Sequence, residues 1–193
     1  MTVDTSAAAT PTATDQEAFR LGMRRLAAAV SLVTTELSGG ERRGMTATAV
    51  CSVSMQPPTL LCCINRRNST YEAILASRAF AVNVLSVDDR MLADIFAQPV
   101  SPQEKFSAGL WRRALTGAPV LESAAASFDC QVSHDVTVGT HGILFGEIQA
   151  IAVRSGAASP LLYAQGSYGA FTAAGQGSDA GSLWMPTWNY DPS

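Results

Sequence analysis

The apolar residues change their spacing several times along the chain, and each change marks the end of one predicted element. Asp15 is placed to cap a helix. Behind it Phe19, Met23, Leu26, Ala27 and Val30 recur mostly three and four apart, as one apolar helical face does. Residues 30–35 then switch to a β-branched run. A Ser38-Gly39-Gly40-Glu41 turn follows, and residues 45–54 nearly alternate between small or hydroxylated and larger side chains. Two strands joined by a short Gly-rich turn form a hairpin. Pro57-Pro58 interrupts the ladder. Residues 59–64 are almost wholly apolar, the pattern of a strand covered on both faces.

Asn68-Ser69-Thr70 supplies caps for a helix over 71–77, and 79–85 reads as a further strand. Asp88-Asp89 opens a helix carrying Met91, Leu92, Ile95 and Phe96. Residues 98–127 hold no sustained period and predict a long connection with one short helical piece. Strands follow at 128–136 and 142–153, with shorter ones at 161–163 and 168–171. Seven or so strands, mostly sequential, with few helices predict a mostly β fold, a small antiparallel barrel with peripheral helices. A doubly wound parallel sheet would need regular strand–helix alternation, which is missing. The chain divides into a leader at 1–14, read as disordered, one domain at 15–172, and a tail at 173–193. The tail is Gly- and Ser-rich and ends in Trp184, Met185, Trp188 and Tyr190.

With 193 residues, 47% of them hydrophobic and 15% charged, the chain is long enough to bury a core without disulfide or metal support. Thirteen basic against sixteen acidic residues provide no field for a phosphate backbone, so nucleic acid is excluded as a general partner. No window of about 18 apolar residues occurs, so no membrane span is expected. The leader carries no Lys or Arg and does not read as a secretion signal. Cys51, Cys62, Cys63 and Cys130 form no C-x-x-C pair, the pattern of reduced cytoplasmic thiols. Two histidines and scattered thiols are too few for a metal site, and no nucleotide-loop, hydrolase or zinc-protease motif is present.

Three stretches carry candidate chemistry. Residues 44–54 form a strand of small side chains that leaves room for a flat ligand, although a Thr/Ser-rich surface strand would look the same. In Ile64-Asn65-Arg66-Arg67-Asn68-Ser69-Thr70 an apolar strand runs into a helix N-terminus. Its arginines, amides and hydroxyls make a phosphate seat, or an ordinary capped helix beside solvated arginines. In Gly139-Thr140-His141-Gly142 a histidine sits at a Gly-flanked turn, facing either a cleft or solvent. Cys62 and Cys63 are adjacent on a strand, so their side chains point to opposite faces, as small core residues would.

In order and spacing these motifs resemble the flavin reductases of two-component monooxygenases, within the FMN-binding split-barrel proteins. The resemblance is carried by Phe19-Arg20, Ala29 to Thr35, Gly44 to Ser54, Pro57-Pro58, Cys63 to Arg66 and Phe80 to Leu85. It continues through Gly117 to Leu121, Phe128-Asp129-Cys130, Gly139-Thr140-His141, Phe145-Gly146-Glu147 and Pro160 to Tyr163, so that it covers roughly 17–171.

The resemblance implies a homodimer of six-stranded antiparallel split barrels that binds FMN or FAD and reduces it with NADH or NADPH. The reduced flavin then leaves for a separate monooxygenase. It places Met45, Thr46, Ala47, Thr48 and Ala49 along the flavin ring and ribityl, with Ser52 near the ribityl–phosphate chain. Cys63, Asn65 and Arg66 fall beside the ring edge, and Asn68, Ser69 and Thr70 toward phosphate. His141 falls at the nicotinamide as a catalytic positioning group, with Tyr168 bordering the same pocket. The chain departs from the family pattern at Asn68, a serine in many relatives, and at Thr140, an aspartate in many. Two other readings share these residues: a reductase holding FMN for another acceptor, such as a corrinoid or ferric complex, and a flavin-binding module without turnover. The family pattern does not reach the tail aromatics, which either anchor the tail on the barrel or the other subunit, or stack on the adenine of FAD or NADH or regulate access.

Overall fold

The computed structural model describes residues 15–156 and 158–172, so the expectations for leader and tail lie outside the described residues. The elements are α1 (Gln16–Met23), β1 (Ala28–Ala29), β2 (Ser31–Glu36), β3 (Arg42–Ala47), β4 (Val50–Met55), β5 (Pro58–Asn65), α2 (Ser69–Ser77) and β6 (Ala79–Val84). They continue with α3 (Arg90–Ala97), α4 (Pro102–Ser107), β7 (Trp111–Arg113), β8 (Pro119–Leu121), β9 (Ala126–Val138), β10 (His141–Val153), β11 (Leu161–Ala164) and β12 (Ser167–Ala170).

The predicted caps form. The Asp15 carboxylate accepts from the Ala18 amide at 2.6 Å, and the Asn68 side chain accepts from the Thr70 amide at 2.9 Å, so each satisfies a donor that the first helical turn leaves unpaired. Seven antiparallel strands form the main sheet in the order β3-β2-β6-β9-β10-β5-β4. Strands β1, β11 and β12 make a second, three-stranded sheet, and β7 pairs with β8 in a ribbon. One core cluster joins Ala47 of β3 to Val33, Phe80, Cys130, Leu144 and Ile64 on the intervening strands, with Val50 of β4 packed against it. Both outermost strands thus feed one interior, so the main sheet is curled. Its two free edges are consecutive in the chain, joined only by Thr48 and Ala49. A second cluster seats α3 on the other side of β2 through Leu32, Leu85, Leu92 and Phe96.

Four expectations are corrected. Residues 45–54 form two strands at opposite edges of the sheet. Ala47 and Val50 both serve the core, and a spacing of three is incompatible with one period-two strand. Residues 59–64 are not covered on both faces: Leu60, Cys62 and Ile64 are buried, whereas Leu61 and Cys63 are only partly so. The connection at 98–127 contains the β7–β8 ribbon, whose strands are too short to show a period. The apolar stripe of α1 is not buried, and Val30 belongs to the core beyond the helix. The sheet counts seven strands where the resemblance implies six. No described helix is long and apolar enough to cross a membrane.

Candidate functional site

The end of β5 and the β9–β10 turn meet, bringing together stretches more than seventy residues apart. His141 lies directly opposite Asn65 in the antiparallel register. The Arg66 amide donates to the Thr140 carbonyl at 3.0 Å, and the Arg67 amide to Asn65 Oδ1 at 3.0 Å. Gly139 makes the turn possible with a φ of 55°, a left-handed value. His141 is exposed, and its Nδ1 is 2.9 Å from the Thr140 hydroxyl, which orients the ring and leaves Nε2 toward solvent. Asn65, Arg66, Arg67, Gly139 and Thr140 enclose a cavity of about 440 Å³. Gly142 fixes what stands behind this turn. A Cβ there would lie 2.5 Å from Cζ of Tyr71, so its absence lets the first turn of α2 dock against β10.

On the other side of the α2 N-terminus a smaller cavity of about 210 Å³ is lined by Arg43, Gly44, Ser69, Val100, Pro102 and Lys105. The Lys105 ammonium donates to the Gly44 carbonyl at 3.3 Å and the Phe96 carbonyl at 3.1 Å, and burial lowers its pKa. Arg43 also pairs with Glu41, at 2.5 Å. Among the described residues neither cavity has a carboxylate in its lining. Arg43 and Lys105 were missed from sequence. They lie 62 positions apart and carry no motif, and they meet only because Gly44 admits α3 and α4 against β3: a Cβ there would stand 2.7 Å from Phe96.

Between the two sheet edges Thr48, Ala49 and Ser52 are exposed, a wall that its own side chains leave open. The other expected wall residues differ. Ala47 is buried in the core, Met45 packs against it, and the Thr46 hydroxyl is spent on the Ala93 carbonyl of α3 at 2.7 Å. Cys63 faces outward beside the wall, its amide donating to the Ala49 carbonyl at 3.0 Å. Burial, and then the neighbouring Cys51 thiol, push its pKa up, so the thiol stays protonated. At the α2 N-terminus Ser69 is exposed, whereas Thr70 is 1% exposed and turned inward.

Tyr168 stands elsewhere. It packs edge-on against Tyr163 with ring centroids 5.3 Å apart and lies beneath the Arg90 guanidinium at 5.4 Å. Desolvation, and then the charge and hydrogen bond of Asp94, raise its pKa, and it lines neither cavity beside α2. Tyr163 together with Thr48 instead lines a third cavity, against α1.

An open wall of small side chains, flanked by two cavities whose charged linings are cationic only, fits a flat ring system with an anionic tail. A family model described as a flavin reductase like domain matches residues 23–172. The FMN reductase (NADH) RutF of Pseudomonas syringae pv. syringae is 52% identical over 145 residues, 75% of this chain and 81% of that protein. The NADH:FAD oxidoreductase SgcE6 of Streptomyces globisporus C-1027, solved with NAD and FAD fragments, aligns with a TM-score of 0.76 at 28% identity, covering 83% of this chain and 94% of that one. A nitrilotriacetate monooxygenase component B homolog from Mycobacterium thermoresistibile aligns with a TM-score of 0.77 at 25% identity, covering 88% and 96%. With the match running from residue 23 to the last described position, this chain belongs to the flavin reductase-like domain family.

Proposed function

We propose that the protein is an NADH-dependent flavin reductase that delivers reduced flavin to a separate monooxygenase. FMN is the favoured substrate, because the similar curated proteins are named FMN reductases (NADH), and FAD is the second candidate, as in the Streptomyces neighbour. The observation that carries the reading is the meeting of His141 and Asn65 beside the α2 N-terminus, at the foot of the open Thr48–Ser52 wall. Bound flavin supplies the acceptor position for a hydride leaving nicotinamide C4.

What the chain contributes is placement. Thr48, Ala49 and Ser52 form the surface on which the ring lies, with Cys63 and Asn65 at its edge. The α2 N-terminus with Asn68 and Ser69, aided by Arg66 on one side and Arg43 and Lys105 on the other, takes the phosphate. Thr46, Ala47 and Thr70 act behind this surface, holding the strand and the helix that present it. His141 positions the nicotinamide and bears no proton-abstraction role, since hydride transfer between two oriented rings needs no base. Tyr168 acts on α3 and not on the nicotinamide. An open site suits a flavin that must leave reduced.

We place this site in a cytoplasmic homodimer of split barrels, with the division between β3 and β4 as the opening. Delivery to a partner oxygenase is supported by the neighbour named as a monooxygenase component. Anaerobic mixing of protein, NADH and each flavin tests the reading through loss of the yellow absorbance. FMN is expected to bleach at catalytic protein concentration. If neither FMN nor FAD bleaches with NADH or NADPH, the proposal fails.

A further inference from the structure

Helix α1 and the turn after it present an apolar face that the other described residues leave largely exposed. Phe19, Met23 and Leu26 follow one another at spacings of four and three and remain 61%, 49% and 62% exposed. The helix is held by its end: the Gln165 amide donates to the Arg24 carbonyl at 2.8 Å. Between this face and the β11–β12 turn lies a cavity of about 440 Å³, with Thr48 and Tyr163 on its far wall and Arg20 and Arg24 at its rim. Among the described residues no carboxylate lines it and neither arginine is paired with one. An apolar trough with a cationic rim calls for an apolar segment with acidic flanks.

The chain carries such a segment. Residues 182–190 read Ser-Leu-Trp-Met-Pro-Thr-Trp-Asn-Tyr, flanked by Asp179 and Asp191, and no Lys or Arg occurs anywhere in 173–193. Each tryptophan has about 150–250 Å² to bury. The leader at 1–14 has no aromatic residue to offer the trough. Geometry favours the tail as well. The described chain ends just after β12, and Tyr168 of that strand is the register partner of Tyr163 in the trough wall. Nine Gly-, Ser- and Ala-rich residues, 173–181, lie between, enough to span about 30 Å if extended. A Gly- and Ser-rich tether of that length corresponds to an effective concentration of about a millimolar.

We propose that residues 182–190 dock through Trp184 and Trp188 into the trough between α1 and Tyr163, with Asp179 and Asp191 facing Arg20 and Arg24. The docking itself does not depend on the flavin reductase reading. The test is therefore made without flavin or nicotinamide: amide hydrogen exchange of residues 16–26 in the full chain, compared with the full chain carrying W184S and W188S. Exchange is expected to be at least about tenfold slower in the unaltered protein, as for a surface covered some nine-tenths of the time. A synthetic peptide of residues 179–191, added at about a millimolar to the double variant, restores the slow exchange. Equal rates in the two proteins would overturn the proposal. So would protection that survives both substitutions and grows with protein concentration, which would assign the trough to a second copy of the chain.

Discussion

Replacing Gly142 by alanine tests the joint between the His141 turn and α2. The added Cβ falls inside the van der Waals envelope of Tyr71, 2.5 Å from Cζ and 2.6 Å from the hydroxyl oxygen. Tyr71 is 5% exposed and belongs to the main core, so its ring has no open side to retreat to. Gly142 does not have a left-handed φ, and the whole penalty is therefore steric. Overpacking of this kind costs about 1–3 kcal/mol. For a chain of this length each kcal/mol lowers the melting temperature by about 2–4 °C, which gives a fall of about 2–12 °C. Part of the overlap is relieved by pushing the first turn of α2 off β10, which moves Asn68 and Ser69 and weakens FMN binding. Gly169→Ala is the control, because a Cβ there meets no heavy atom within 4 Å. Calorimetric melting and fluorescence titration with FMN read the two effects. If Gly142→Ala melts and binds like Gly169→Ala, the contact does not hold the joint and the reasoning is wrong.

His141→Ala should slow flavin reduction by about tenfold to a hundredfold in stopped-flow mixing while FMN affinity stays within about threefold, because orientation of the donor ring is what is lost; an unchanged rate removes His141 from the site. Asn83→Leu removes a buried hub whose amide donates to the Leu32 carbonyl and Thr34 hydroxyl and whose oxygen accepts from the Leu121 amide and Ser127 hydroxyl. Stranding even two of those partners costs about 2–6 kcal/mol, visible as a lower urea midpoint at constant slope. Stability should also fall in alkali. Burial, and then the Cys63 thiol, push the buried Cys62 thiol from 9.0 up to about 12, so above pH 9 the unfolded chain releases a proton that the folded chain keeps. The loss runs at about 1.4 kcal/mol per pH unit for that thiol. Urea unfolding at about pH 8 and about pH 10 should show a shallower fall in Cys62→Ala, and identical slopes would contradict the assignment.

The local features were legible because their causes are local. Asp15 and Asn68 announce helix starts through side chains that reach the next turn, and the β-branched run of β2 and the apolar run of β6 announce strands. The two loops that meet at the site were also visible, as a strand running into a capped helix and as a histidine between glycines. The break at Thr48-Ala49 was not. Small residues on both sides keep an apparent alternation, and only the shared core reveals that Ala47 and Val50 face the same way.

By itself the sequence determined most of the longer strands and helices, that the fold is mostly antiparallel β, and which residue types are available for a flat anionic ligand. The tertiary structure alone decided that His141 stands opposite Asn65, that Arg43 and Lys105 join the α2 N-terminus, and that Thr46, Ala47 and Thr70 are spent on structure. It also placed Tyr168 beneath Arg90 of α3 and left Phe19 and Met23 of the α1 stripe exposed. The reason is physical. Periodicity and capping depend on neighbours a few residues away, whereas register across a sheet and the burial of a face depend on segments dozens of residues distant, whose approach no local pattern records.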